Sequence, residues 1–314
     1  MQDVNVFLVY GESYSWHQSS LFGWKDKTSP LLEQFAEEDK RFKYKDGVSC
    51  AVFTATSIPS FFNMYMDPEN FREQITKTGN LFSIAKRNNW TTYWLSIQST
   101  SLINNLNVGD IDHISHYNNE KALIDEFEDD ATLKFLKRYD LEKDGSNFMV
   151  LHQGNMHSPF LQYRTRHPEF KVFENEYENA QLYEDYLIYN ILTHLKTLKK
   201  PTFFFLISDH GSGGGFNGNY GNLSLDAISS DVPVMMWTNF DEKNITDKFD
   251  KMWKPHCHQL GSLIMEIMGY KLINPNQEKG VYYVNGTDLF GRHGYTKITK
   301  DEENRTIKYE NISP

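Results

Sequence analysis

Only two cysteines, Cys50 and Cys257, occur among the 314 residues. They permit at most one disulfide, which excludes a disulfide scaffold and a Cys-rich zinc module and leaves the redox compartment open. No apolar run approaches the ~20 residues that a membrane-spanning helix needs. Grouped positive charge is also missing: 32 Lys and Arg are dispersed among 42 Asp and Glu, a formal net charge of -10. A phosphate-tracking surface needs clustered cations, so this balance argues against nucleic acid as a partner. The one basic patch, "HLKTLKK", closes a helical pattern, where cations are favourable anyway. There is no internal repeat and no Pro/Ser linker, so residues 1–314 read as one domain. No signal peptide precedes the first apolar run. That start fits either a cytosolic chain or a piece whose N-terminal portion lies outside this sequence.

The composition is globular, with 39% hydrophobic and 15% aromatic residues. Short runs rich in β-branched and aromatic residues recur at 4–10 ("VNVFLVY"), 91–96 ("TTYWLS"), 148–153 ("FMVLHQ"), 202–208 ("TFFFLIS") and 232–238 ("VPVMMWT"). Continuous apolar runs of this length read as strands buried on both faces, as in parallel sheets. The segments "NLFSIAKRNN", "EKALIDEFEDDATLKFLKRY" and "YENAQLYEDYLIYNILTHLKTLKK" lie between them, with apolar positions every three or four residues. Strand alternating with helix predicts an α/β sandwich around a central, mainly parallel sheet, and ligands of such sheets gather at the carboxyl ends of the strands. From about residue 270, alternating patches and the turn signal "NG" predict a small antiparallel hairpin or edge over 270–314. Four N-x-S/T sequons, at Asn222, Asn244, Asn285 and Asn304, are short enough to arise by chance and carry little weight.

Reactive side chains stand at the predicted strand ends. Glu12 follows the first strand in "VYGES", and Thr54 sits where "CAVF" turns into a helical pattern. "VLHQGNMHSPF" supplies His152 and His157, and "LISDHGSGGG" supplies Asp209 and His210. Each alone has an ordinary reading: a capping acid at Glu12, an N-cap at Thr54, a solvated loop acid at Asp209. Together they form an oxygen and nitrogen ligand set suited to Zn2+ or a similar divalent ion, beside a hydroxyl at a helix start. Such a hydroxyl is equipped to attack a phosphate or sulfate ester.

The ordered set of motifs resembles the lipid A and lipooligosaccharide phosphoethanolamine transferases, in the sulfatase branch of the alkaline phosphatase superfamily. "GESYSWHQSSLFGWKDKTSPLL", "TATSIP", "YWLSIQS", "LHQGNMHSPF", "YENAQLYEDYL" and "SDHG" followed by "VPVMMW" match that family in sequence order over residues 4 to about 270. The resemblance implies a sulfatase-like sandwich in which Glu12, Asp209, His210 and the Thr54 hydroxyl hold a catalytic Zn2+. It implies Thr54 as the nucleophile that receives phosphoethanolamine from phosphatidylethanolamine, with Thr56 and Ser57 as nearby rivals, and His157 as the histidine handling phosphate or the reacting oxygens. Gln98, His157 and Asn222 would contact substrate. The acceptor would be lipid A, a lipooligosaccharide or another envelope glycan. An N-terminal membrane domain lying outside this sequence would place the catalytic domain in the bacterial periplasm, on the inner membrane.

Departures from the family pattern are specific. The loop "GSGGGFNGNYGN" puts Asn222 where the family has a histidine, and an amide is a poor Zn2+ ligand beside imidazole, so a single metal site is expected. Ser60 replaces the cysteine that would pair locally with Cys50, Ser96 and Ile97 replace an Asp and an Asn, and Trp16 replaces an Arg. His256 and His258 in "KPHCHQL" read equally as metal candidates or as packing and capping residues. Two other activities stay open: a hydrolase of the same superfamily, against which the missing Arg of the Cys/Ser-x-Pro-x-Arg segment counts, and a non-catalytic relative.

Overall fold

The computed structural model describes residues 3–70, 80–160, 166–213, 224–273 and 278–313. Its centre is a seven-stranded sheet in the order β2-β7-β6-β1-β5-β3-β4. The strands are β1 (Asn5–Gly11), β2 (Lys43–Val48), β3 (Thr91–Ser96), β4 (His113–Ser115), β5 (Asn147–His152), β6 (Thr202–Ser208) and β7 (Asp231–Thr238). Every predicted strand is present, with ends within a residue or so of the expected ones.

Alternate side chains of each strand point to opposite faces. Val6, Leu8, Tyr10, Phe148, Val150, Phe203 and Phe205 fill one core layer, and Phe7, Val9, Met149, Leu151, Phe204 and Leu206 fill the other. Both layers are buried because helices cover both faces. The first is roofed by α2 (Thr54–Phe62), α3 (Leu81–Arg87), α8 (Asn244–Lys251) and α9 (Cys257–Ile267). The second is roofed by α1 (Pro30–Glu38), α4 (Tyr117–Phe127), α5 (Ala131–Leu136) and α6 (Glu176–Leu195). A four-residue turn of helix, α7 (Ala227–Ser230), precedes β7. Along α6, Leu187, Ile188, Ile191, Leu192 and Leu195 are fully buried, each contributing about 1.5–3 kcal/mol of transfer free energy. Asp185 of the same helix accepts the N–H groups of Leu31 and Leu32, both at 2.9 Å, and so serves the first turn of α1, whose own N-cap Ser29 does not.

Four features differ from expectation. The strand at 231–238 runs antiparallel to β6, and β2 runs antiparallel to it in turn. A parallel partner needs a crossover connection across a face of the sheet, and the link from β6 to β7 contains, among its described residues, only the short α7. The start of β7 therefore lies at the edge where the parallel strands end. The single helical pattern over 120–139 is broken between α4 and α5 at Glu128, which adopts φ 50°. The C-terminal region forms a three-stranded antiparallel sheet of β8 (Val281–Asn285), β9 (Tyr295–Asp301) and β10 (Thr306–Ile312) rather than one hairpin. The "NG" at 285–286 is not a tight turn. Asn285 donates its N–H to Cys50 O at 2.9 Å and accepts Val52 N–H at 3.0 Å, pinning the stretch that leads into α2.

The cysteines form the one disulfide that their number permits. Ser60 does rule out a local bridge, yet Cys50 is bonded to Cys257 across 207 residues of sequence. This joins the same pinned stretch to the first residue of α9.

Candidate active site

β1 and β6 are neighbours in parallel register, with Gly11 opposite Ser208. The next residue on each strand, Glu12 and Asp209, therefore emerges side by side at the carboxyl edge. His210 follows, and the chain then passes tightly under α7. A Cβ at Gly211 would lie 2.3 Å from Ile228 O and 2.7 Å from Asp231 O, so only glycine fits there. Thr54 arrives from the other direction as the first residue of α2. The cap position belongs to Phe53, so Thr54 is not the N-cap its place suggested.

The four groups converge. Nε2 of His210 lies 3.2 Å from Thr54 Oγ1, 3.5 Å from Glu12 Oε1 and 3.4 Å from Asp209 Oδ2. Thr54 Oγ1 donates to Glu12 Oε2 at 3.4 Å. Ligand atoms of Glu12, Asp209 and His210 all fall within 4.8 Å of one another. All three residues are buried, at 0–1% exposure, and Thr54 is 8% exposed.

Their outer partners fix these orientations. His210 Nδ1 lies 2.8 Å from Gly211 O, and a carbonyl only accepts, so the proton sits on Nδ1 and the Nε2 lone pair faces the cluster. Asp209 Oδ1 accepts the N–H groups of Ser13 and His210. Asp209 Oδ2 has no hydrogen-bond partner among the described residues. Glu12 accepts the Ser13 hydroxyl at 2.6 Å on Oε1 and the Gln98 amide at 3.0 Å on Oε2.

Electrostatics make the cluster unstable as a set of bare groups. Burial and the neighbouring Glu12 carboxylate push Asp209 up to about 6, against the pull of His210. Burial also opposes charge on Glu12, but His210 and the Ser13 hydroxyl more than offset it and hold the carboxyl low. Burial likewise opposes charge on His210, which Asp209 and Glu12 raise above its ordinary value. Two buried carboxylates facing one imidazole make a site that favours a bound cation. The unpartnered Asp209 oxygen, the inward imidazole nitrogen and the paired carboxylates fit a tetrahedral divalent ion such as Zn2+, with Thr54 at its side.

His157 is exposed and close enough to Glu12 to help hold that carboxylate low. Gln98 spends its amide nitrogen on Glu12, on Gln153 O at 2.6 Å and on His152 Nε2 at 3.3 Å, so it orients the Glu12 carboxylate. Asn222 and most of its glycine-rich loop lie outside the described residues. Ser57 is committed elsewhere: it donates to Asp209 O at 2.5 Å and pairs with Tyr10 OH at 2.9 Å. His152 is fully buried, held down to about 4 by burial, and pairs with Ser96 Oγ, so it is a neutral strut behind Gln98. His256 and His258 stand apart from this cluster. His256 caps α9 and His258 reaches Ser60 O at 3.2 Å, both against the disulfide. Sequence reasoning missed the double use of Ser13. The Glu-Ser pair at a strand end was its only signal.

Comparison with known proteins agrees with this fold. Residues 4–270 match the family model described as Sulfatase. A phosphoethanolamine transferase EptA of Helicobacter pylori is 26% identical over 272 residues, covering 76% of this chain and 49% of that protein. The chain thus spans about half the length of the curated relatives it matches. The zinc complex of the C-terminal periplasmic domain of EcEptC from Escherichia coli superposes with TM-score 0.73 at 17% identity, over 90% of each chain. The corresponding domain of phosphoethanolamine transferase EptC from Campylobacter jejuni gives 0.69 at 22% identity, over 88% of this chain and 95% of that one.

Proposed function

The chain belongs to the sulfatase family, and from that premise we propose that it is the catalytic domain of a zinc-dependent phosphoethanolamine transferase working in the bacterial periplasm on an envelope glycolipid. The observation that carries this reading is the Thr54 hydroxyl, at the start of α2, 3.2 Å from His210 Nε2 and 3.4 Å from Glu12 Oε2. Curated relatives named as phosphoethanolamine transferases support the group transferred, and two named as Kdo(2)-lipid A phosphoethanolamine 7''-transferases support a lipid A-type acceptor. A structurally similar protein from Neisseria meningitidis, described as an integral membrane lipooligosaccharide phosphoethanolamine transferase, supports an anchor outside this sequence.

Glu12, Asp209 and His210 would hold Zn2+ with Thr54, and the ion would supply Lewis-acid stabilisation of negative charge on oxygen. In the first half-reaction, Thr54 Oγ1 forms a bond to the phosphorus of phosphatidylethanolamine and the bond to the diacylglycerol oxygen breaks. The Thr54 proton passes to Glu12 Oε2, the acceptor in reach, and from there to the departing oxygen, so that diacylglycerol leaves as the alcohol. The first turn of α2 presents N–H groups and the positive end of its dipole to the anion. In the second half-reaction, an oxygen of the acceptor attacks the same phosphorus and the Thr54 hydroxyl is restored. Exposed His157 handles the departing and arriving oxygens.

The test is intact-mass measurement after incubation with phosphatidylethanolamine and Zn2+. Wild type is expected to gain one phosphoethanolamine and Thr54→Ala none. No adduct on zinc-loaded wild type would overturn the transferase reading. Release of free phosphoethanolamine in place of an adduct would assign a hydrolase instead.

A further inference from the structure

The connection from β5 to α6 carries His157 near its start and, near its end, a second histidine that no step of the reaction uses. His167 lies 2.7 Å from Asp130 Oδ2 through Nε2 and 3.0 Å from Glu169 Oε1 through Nδ1. Its side chain is 16% exposed, that of Asp130 20% and that of Glu169 61%. The rings of Phe170, Tyr183 and Tyr186 pack around it, with centroids 5.5, 5.0 and 5.8 Å away. One side chain thus ties the turn Pro168–Phe170 both to α6 and to residues 128–130, the acidic junction between α4 and α5.

The two short contacts fix the protonation state of the ring. A carboxylate oxygen only accepts, so both nitrogens must donate, and only the imidazolium carries a proton on each. A neutral ring, in either tautomer, keeps one bond and turns a lone pair on the other carboxylate. Loss of the Nε2 proton is the more costly, because Asp130 Oδ1 is buried without a hydrogen-bond partner among the described residues and Glu128 and Asp129 adjoin it in the chain. The titratable groups facing the ring are Asp130 from the junction, Tyr183 and Tyr186 from α6 and Glu169 from the turn itself. Arg166, on the same segment, donates instead to Asp125 O at 3.4 Å.

We propose that His167 is a protonation-dependent clasp, which holds residues 166–170 against α6 and the 128–130 junction as the imidazolium and releases them as the neutral ring. Burial opposes the charge, but Glu169 and Asp130 outweigh it and raise His167 above its ordinary value. A raised value gives stabilisation that is complete below about 6.5 and is lost as pH climbs through the value in the folded chain. Opening is local, because Phe160 stacked on Tyr177 and the N–H groups of Val172 and Phe173 on Asn179 Oδ1 hold the connection on either side. The clasp goes beyond the transferase reading and does not rest on it.

The experiment follows the histidine ring resonances of the zinc-loaded chain by NMR as pH is raised, with His167→Gln assigning the signal. Hydrogen–deuterium exchange over 166–171 is then compared at about pH 5.5 and about pH 8.5, corrected for the intrinsic rate. Wild type is expected to titrate above 6.5 and to lose protection at the higher pH at Phe170 and Lys171, whose N–H groups bond within the turn. Asp130→Asn should bind the proton about tenfold more weakly, and Glu169→Gln, on the exposed partner, should also weaken it if Asp130→Asn does not fold. His167→Arg, a cation with several donor nitrogens throughout this range, should stay protected at both pH values, and His167→Gln at neither. A wild-type ring titrating at or below 6.5, protection that is equal at the two pH values, or a loss that His167→Arg does not prevent would overturn the proposal.

Discussion

The Cys50–Cys257 bridge closes a loop of 207 residues, and its removal has a calculable effect. Loop-closure entropy for that length amounts to about 5 kcal/mol at 25 °C. Cys50→Ala with Cys257→Ala also deletes two buried sulfurs, each costing on the order of 1 kcal/mol in lost packing. Unfolding a chain of this size releases entropy such that 1 kcal/mol moves Tm by about 1.5 °C. The double variant should therefore melt roughly 10–11 °C below oxidised wild type. Differential scanning calorimetry at fixed Zn2+, with intact mass to confirm oxidation state, measures this directly. Reductant should lower the Tm of wild type and leave that of the variant unmoved. A double variant that melts within about 2 °C of oxidised wild type would refute the reasoning, because the bridge would then constrain an unfolded chain that is already compact.

Two further perturbations test the site and the scaffold. Gln98→Leu removes the amide that orients Glu12, so Zn2+ affinity, read by competition with a chromophoric chelator, should fall about 10- to 100-fold with Tm of the metal-free chain little changed; an unaltered affinity would show that Glu12 is oriented without it. Asp39 is opposed by burial but held down to about 2 by the Arg41 guanidinium and the Trp237 indole. A depressed carboxyl stabilises the fold fully above its unfolded value near 4, and that contribution is lost as pH falls towards 2. Asp39→Asn should therefore cost stability in urea titrations at pH 6 and about half as much at pH 3, and an equal cost at both would contradict the assignment.

Much of the fold was legible because its core strands are buried on both faces and so read as unbroken apolar runs. β2 escaped notice because "KYKDGV" lies at the sheet edge with only Gly47 and Val48 buried, and edge strands carry weak patterns. β4 is three residues long. The direction of β7 was hidden because burial on two faces does not encode strand polarity. At the site, Glu12, Thr54, Asp209 and His210 could be picked out because each follows directly on a strand end or opens a helix. What stayed hidden depended on distant partners. Nothing local to Cys50 points 207 residues ahead to Cys257, and nothing in "IQS" says that Gln98 faces a glutamate 86 positions earlier.

The same distinction separates how the two halves of the site are mounted. Glu12 and Asp209 take their spacing from the ladder of β1 on β6, two adjacent central strands whose register places Gly11 beside Ser208. Thr54 owes its position to other ties: Ser57 bonded to Asp209 O, the Asn285 bridge to Cys50 and Val52, and the disulfide to α9. The cluster of Glu12, Asp209 and His210 is thus a property of the sheet, and Thr54, the proposed nucleophile, is held against it by Asp209 O and by elements of the C-terminal part of the chain. Loosening those ties displaces Thr54 while leaving the carboxylates and imidazole in register. The disulfide-free variant should accordingly keep its metal and lose turnover, since a misplaced nucleophile costs rate without costing a ligand.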